Sequence, residues 1–277
     1  ESMPTPTPIP TPVPSVDDSY TKVLLHFFGT NDSTTFADES GKAWTTYGDS
    51  KISTDAFEYG GTSGYFDGSG DYLRTPYTSD FDLSGDFTMD AWFNANNFNA
   101  AQVLISKDTY GSNYDWSILL INSTNIALYT NGTNTKLTVT VPAMSALTWY
   151  HIAYTKYSGI VSIYLNGIAY GSKIMSITNA SQSYITIGCS SWNNPNTYFS
   201  GYIDELRISK GVARWTTNFN PPSTEYSPNT PTPTPTPVTI DDSYSKVLHH
   251  FNGVNNSNGF KDESGKPVTT LGSVREG

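Results

Sequence analysis

Cysteine is almost absent from this chain. Cys189 stands alone among 277 residues, so no disulfide can close within the chain, and cysteine pairing carries no information on the redox compartment. Charge is sparse as well, at 14% of residues, and its balance is acidic, with a net charge of −10. Such a surface repels phosphate backbones and anionic headgroups, which argues against nucleic acid and membrane surfaces as partners. No apolar run approaches the roughly 18 residues of a bilayer-spanning helix, so membrane insertion is not expected. Helical patterning is missing too, apart from one turn's worth near Val212 to Trp215. The chain begins at Glu1 without a signal peptide, as expected of a processed or partial sequence.

What is present is β-forming. Aromatic residues make up 14% of the chain. Short runs such as Lys22–Phe28, Asp86–Phe93, Gln102–Lys107, Asp115–Ile121, Asn125–Thr130, Trp149–Lys156, Gly159–Leu165 and Tyr184–Gly188 are aromatic or β-branched and bounded by Gly, Asn or Asp. Asn166-Gly167 is a strong two-residue hairpin signal and Asn131-Gly132 a second. This regular spacing predicts an all-β, two-sheet antiparallel jelly-roll sandwich, long enough to bury a core without metal or disulfide help. Trp92, Trp149 and Trp215 lie in or beside apolar strand patterns and are expected in the core. Cys189 is expected as a small buried hydrophobe.

Two stretches interrupt the pattern. Residues 1–16 and 227–239 are near-regular Thr-Pro alternations; proline fixes φ and removes donors, so both are expected to be polyproline II linkers. The sequence then repeats itself. DDSYTKVLLHFFG from Asp17 returns as DDSYSKVLHHFNG from Asp241, and FADESGK from Phe36 returns as FKDESGK from Phe260, at one constant offset. Residues 17–226 are therefore expected to form one sandwich module, and residues 240–277 to hold the first strands of a second, too few to bury a core alone. That fragment either begins a longer array or completes a neighbouring subunit by strand addition.

The most informative stretch is GYIDELRISKGVARW, Gly201 to Trp215. Tyr202, Leu206 and Ile208 share one parity, Ile203 has the other, and the shift falls at Asp204, which implies a bulge or a strand buried on both faces. Together with YFDGSGDYL (65–73), FTMDAWF (87–93) and WYHIAYTKYSGIVSIYLNG (149–167), this stretch resembles a laminin-G-like domain of the concanavalin A-like lectin and glucanase superfamily. The resembling form occurs in phage tail proteins and in modular surface proteins of bacteria and archaea. The resemblance implies a jelly roll, an extracellular setting on a cell or virion surface, and glycans or copies of the same chain as partners. Residues 216–226 then read as an extended strap over the sheet edge, ended by Pro221-Pro222.

Glucanases share this superfamily, yet the paired in-phase acids of a retaining glycosidase are missing. Asp90 has no second acid in phase, and Asp204 and Glu205, being adjacent, are expected to face opposite sides. His26 and His151 read as satisfied strand residues. The module is expected to be non-catalytic. Aspartates in Gly- and Ser-rich loops suit the oxygen coordination of calcium, and Asp38, Asp204 and Asp67 are the candidate ligands of a structural Ca2+ ion. The resemblance would place Asp38 and Asp204 near the family's calcium position. Asp67 in DGSGD also reads as an Asx-turn residue.

Sugar recognition needs aromatic platforms with polar neighbours. Two loops offer them: Tyr110 and Tyr114 in one, and Trp192, Asn193, Asn194 and Tyr198 in the other. The second is favoured because no strand pattern would bury Trp192, though an inter-subunit contact fits it equally. Two functions remain open: a repeat module of an extracellular fibre, sheath or virion appendage that mediates assembly or adhesion, and a carbohydrate-binding adhesion module on stalks.

Overall fold

A computed structural model of the chain describes residues 18–108, 114–130, 135–177, 182–190 and 197–226. The two Thr-Pro segments, the repeated fragment 240–277, the Asn131-Gly132 turn and the candidates Tyr110, Trp192, Asn193 and Asn194 lie outside the described residues, as does the side chain of Tyr114. The strands are β1 (Thr21–Leu25), β2 (Thr45–Tyr47), β3 (Lys51–Ser53), β4 (Ser63–Asp67), β5 (Tyr72–Thr75), β6 (Phe87–Ala95), β7 (Gln102–Asp108), β8 (Tyr114–Asn122), β9 (Asn125–Thr130), β10 (Thr135–Thr140), β11 (Trp149–Tyr157), β12 (Ile160–Leu165), β13 (Ile168–Ile174), β14 (Ile185–Ile187) and β15 (Ser200–Lys210).

They form two antiparallel sheets, as the patterning predicts. The first runs β13-β12-β11-β6-β15-β4-β3, with β1 also paired to β15; the second runs β10-β9-β8-β7-β14-β5-β2. Period-2 alternation assigns the faces. From the first sheet, Phe87, Met89, Ala91 and Phe93 of β6 and Ile152 and Tyr154 of β11 point inward, and they meet Trp116, Ile118 and Leu120 of β8 and Ile185 and Ile187 of β14. The Asn166-Gly167 hairpin forms as expected, with both residues at positive φ.

Three expectations are corrected. First, the core tryptophan is Trp116, fully buried, with Trp44 packed against the cluster. Trp92 is buried too, but it alternates with inward Ala91 and Phe93 and so lies under the strap on the outer face with Asp90 and Asn94, while Trp149 and Trp215 are half-buried. Second, residues 211–226 cross the outer face of the first sheet and not its edge. Phe219 donates its N–H to the Gly167 carbonyl (2.9 Å), the Trp215 and Phe219 rings stack at 4.0 Å, Tyr59 donates to the Pro222 carbonyl (2.7 Å), and Tyr226 is buried. An aromatic strap of this kind explains why β6 is buried on both faces. Third, Val212–Trp215 is not a helical turn; among the described residues a 3-10 turn lies at Ser79–Phe81.

Gly167 fixes one end of the strap. Its φ of 76° is unfavourable for side chains, and a Cβ there would lie 1.9 Å from the Phe219 carbonyl oxygen. Gly167→Ala is expected to cost about 1–3 kcal/mol or more and to expose Trp215. Thermal denaturation followed by tryptophan fluorescence checks this, and a wild-type melting curve would rule out the close contact.

Candidate functional site

The two outer faces differ in what covers them. On the first sheet, β15 carries a bulge between Asp204 and Arg207, and Glu205 takes φ 49°. The parity shift in the sequence is thus a bulge, with a consequence the adjacency argument missed. Ile203, Leu206 and Ile208 face the core, while Asp204, Glu205 and Arg207 all engage groups over the outer face. The extra bulge residue places neighbouring acids on one side.

Each of these groups is satisfied. Asp204 accepts N–H bonds from Glu58 (2.9 Å), Tyr59 (3.0 Å) and Glu205 (2.9 Å). Glu205 lies 2.7 Å from His26 Nδ1 and accepts the Tyr226 N–H at 2.6 Å. Arg207 grips Asp90 with two nitrogens (3.2 and 3.0 Å), Tyr226 donates its hydroxyl to Asp90, and His151 Nε2 sits 3.0 Å from that hydroxyl. Burial opposes ionisation of Asp90, but Arg207 and His151 hold its carboxyl down to about 2. Burial pushes the His151 pKa below its ordinary value. His26 is raised: burial works against the cation, and the Glu205 hydrogen bond together with the charges of Glu205, Glu39 and Glu225 outweighs it. Burial pushes Asp204 up to about 7 despite its N–H donors, with Glu205 adding to the rise. This constellation contains a carboxylate, an imidazole and a phenol, but the strap seals it from any substrate.

The candidate metal ligands are not brought together. Asp38 caps its own turn, accepting from the Leu24 and Ser40 N–H groups (3.1 and 2.8 Å) and from Trp44 Nε1 (2.9 Å). Asp67 accepts the Ser69 N–H at 2.6 Å, an Asx-turn. Among the described residues, no three His, Cys, Asp or Glu side chains converge as a metal group.

The second sheet leaves part of its outer face open. Cross-strand pairing puts one side chain from each strand in a single row: Lys136, Tyr129, Ser117, Ser106, Thr186, Arg74 and Thr45. The Ser106 and Thr186 hydroxyls are 2.7 Å apart and both reach the Cys189 carbonyl (3.1 and 2.9 Å), so the segment after β14 roofs the middle of the row. Toward the β2 end the face is exposed. There Tyr47 stacks on Tyr72 at 4.3 Å and 8°, and Tyr72 stacks on Tyr198 at 6.4 Å and 20°. The Arg74 guanidinium carbon lies 5.0 to 5.2 Å from the ring centres of Tyr47, Tyr72 and Tyr184. Tyr184 is 52% exposed and Tyr47 36%.

Of the aromatic candidates named from the sequence, Tyr198 belongs to this cluster. Tyr47, Tyr72, Arg74 and Tyr184 were missed. The alternation that put Leu73 and Thr75 inward was the available signal, since it turns Tyr72 and Arg74 outward together.

A family model described as the concanavalin A-like lectin/glucanases superfamily matches residues 67–216. No curated protein matches the chain. Solved structures with the same fold include the binding domain of botulinum neurotoxin serotype D/C, 16% identical over 72% of this chain and 50% of that one, with a TM-score of 0.53. The chain spans about half the length of such neurotoxin binding domains. Botulinum neurotoxin type C, whose cell entry depends on interaction with two ganglioside molecules, is 15% identical over 71% of this chain and 49% of that one, with a TM-score of 0.51. Domain 4 of AbnA, an extracellular arabinanase from Geobacillus stearothermophilus, in complex with arabinotriose, is 18% identical over 70% of this chain and 94% of that one, with a TM-score of 0.53.

The raised Asp204 pKa carries a pH signature. The folded state holds that proton more tightly than the unfolded chain, so its contribution to stability falls as pH rises from about 4 to about 7. His26 acts in the same direction and His151 in the opposite one. Asp204→Asn is therefore expected to flatten the stability change between pH 5 and pH 8 by an amount on the order of 2 kcal/mol. Urea denaturation at both pH values measures it; parallel profiles for wild type and variant would contradict the assignment.

Proposed function

Because the chain belongs to the concanavalin A-like lectin/glucanases superfamily, we propose that it is a non-catalytic extracellular binding module that lays a sugar against the tyrosine stack of its second sheet. The stack carries the reading. Pyranose and furanose rings offer an apolar C–H face and a rim of hydroxyls, and exposed tyrosines give both a flat ring and a polar edge. Tyr47, Tyr72 and Tyr198 form one run of stacked rings, each bearing a hydroxyl at its edge, and Arg74 supplies donors next to them. Trp192, Asn193 and Asn194 stand a few residues before Tyr198 in the sequence and are proposed as further contacts of the same ligand.

The relatives give this reading context: one is a domain in complex with arabinotriose and another a toxin that depends on gangliosides. The sealed Asp90–His151 network supports a module without catalysis. Thr-Pro linkers and the repeated sequence support display of several modules on one stalk, where linkage raises weak single-site affinity through effective concentration. A second reading, self-assembly into a fibre or surface array, is favoured by a different observation. Tyr157, Ile160 and Ile174, paired across β11, β12 and the edge strand β13, are 49%, 44% and 82% exposed, an apolar patch suited to a neighbouring copy.

Retention on a panel of immobilised neutral and acidic oligosaccharides, arabinotriose included, tests the binding role. Tyr72→Ala is expected to lower retention about tenfold or more, whereas Tyr72→Phe, which keeps the ring, retains most of it. Retention of no glycan by the wild-type chain, or equal retention by Tyr72→Ala, would refute it.

A further inference from the structure

Resting on that reading of the tyrosine face, we propose that its ligand carries a carboxylate, as uronic and sialic acids do, and that Arg74 is the residue that selects it. Among the described residues, three of the four buried Lys and Arg side chains have acids, and the fourth, Lys156, donates to the Ser84 carbonyl at 2.6 Å. Arg207 sits on Asp90, Arg214 on Asp18, and Lys107 between Asp82 (2.8 Å) and Asp115 (3.2 Å). In a chain with 25 acidic and 15 basic side chains, pairing of this kind is the easy outcome. Arg74 departs from it. Among the described residues no carboxylate pairs with it, and its Nε is buried with no acceptor.

The buried Nε is closed to a ligand, but the two terminal nitrogens of Arg74 are not among the buried atoms and have no acceptor among the described residues, so a ligand can supply one. The rings of Tyr47, Tyr72 and Tyr184 surround the guanidinium at 5.0 to 5.2 Å and limit the positions it can take before anything binds. A planar fork held in this way matches a carboxylate, which accepts two parallel N–H bonds. The same tyrosines would take the adjoining sugar ring, so charge and ring face are read within one cluster. The nearest other cation in the outward row, Lys136, is at the far end against Tyr129, five strands away across the roofed hydroxyls. The site therefore reads one negative charge, and a net charge of −10 repels dense polyanions.

The test measures affinity of the full chain for trigalacturonate and sialyllactose, for the carboxyl-reduced form of each, for neutral lactose and arabinotriose, and for a heparin hexasaccharide. The expected result is at least tenfold tighter binding of one carboxylate sugar than of its reduced form, a preference that Arg74→Gln abolishes and Arg74→Lys restores only in part. Whichever of the two acids binds identifies uronate or sialate as the source. Equal affinity for the acid and reduced forms, an Arg74→Gln variant that keeps the preference, or tighter binding of the heparin fragment would each overturn the proposal. If neutral sugars still bind in a Tyr72-dependent manner, only the charge selection falls. If no sugar of any kind binds, the binding role falls with it.

Discussion

The bulge in β15 is the constraint on which the rest of the structure depends. This strand pairs with β6 along most of its length, with β4 at its start and with β1 at its end. One extra residue at Glu205 keeps Ile203, Leu206 and Ile208 in the core while turning three charged groups outward. Buried charge is costly unless hydrogen-bonded, and here each group is answered by a different part of the chain. Asp204 holds the 58–59 loop, Glu205 holds His26 just beyond β1 and the backbone of Tyr226, and Arg207 holds Asp90 of β6. Segments distant in sequence thus converge on one irregularity in one strand.

That convergence decides which outer face is covered. The strap brings Trp215, Phe219 and Tyr226 down over the outer face of the first sheet, where His151 meets Trp92, Trp215 and Phe219 edge-on. Polar chemistry there is spent on holding the strap. Among the described residues the second sheet has no comparable cover over β2 and β5, and the outward side chains there are Thr45, Tyr47, Tyr72 and Arg74 where a merely solvated face would show mixed charges.

Much of this fold was legible in the sequence, because its signals are local. Period-2 alternation gave the strands, Asn166-Gly167 gave the hairpin, and the parity of Ile203 against Leu206 gave the bulge. The tryptophans misled for a physical reason: on a strand buried on both faces, an apolar residue at Trp92 reads as core, although its outward parity with Asp90 was already visible. The tyrosine cluster was hidden by distance along the chain. Tyr47, Tyr72, Tyr184 and Tyr198 come from three strands or strand flanks and one loop, and each alone reads as an ordinary surface residue until β14 pairs with β5 and β5 with β2.

The internal repeat bears on these two kinds of residue without any reference to another protein. Asp18, which pairs with Arg214, His26, which meets Glu205, and Asp38 with Ser40, which close the first turn, reappear as Asp242, His250, Asp262 and Ser264. These are residues that secure the first strand to the bulged one. Exposed Phe28 becomes Asn252, and Tyr47, the first ring of the stack, becomes Leu271. One core position changes too, Leu25 to His249, so the copies are not held identical even inside. The retention is not complete, since Trp44, whose indole donates to Asp38, becomes Val268, and Thr45 beside Tyr47 stays as Thr269. The ring that begins the stack at Tyr47 thus has no counterpart in the repeated sequence, where Leu271 stands.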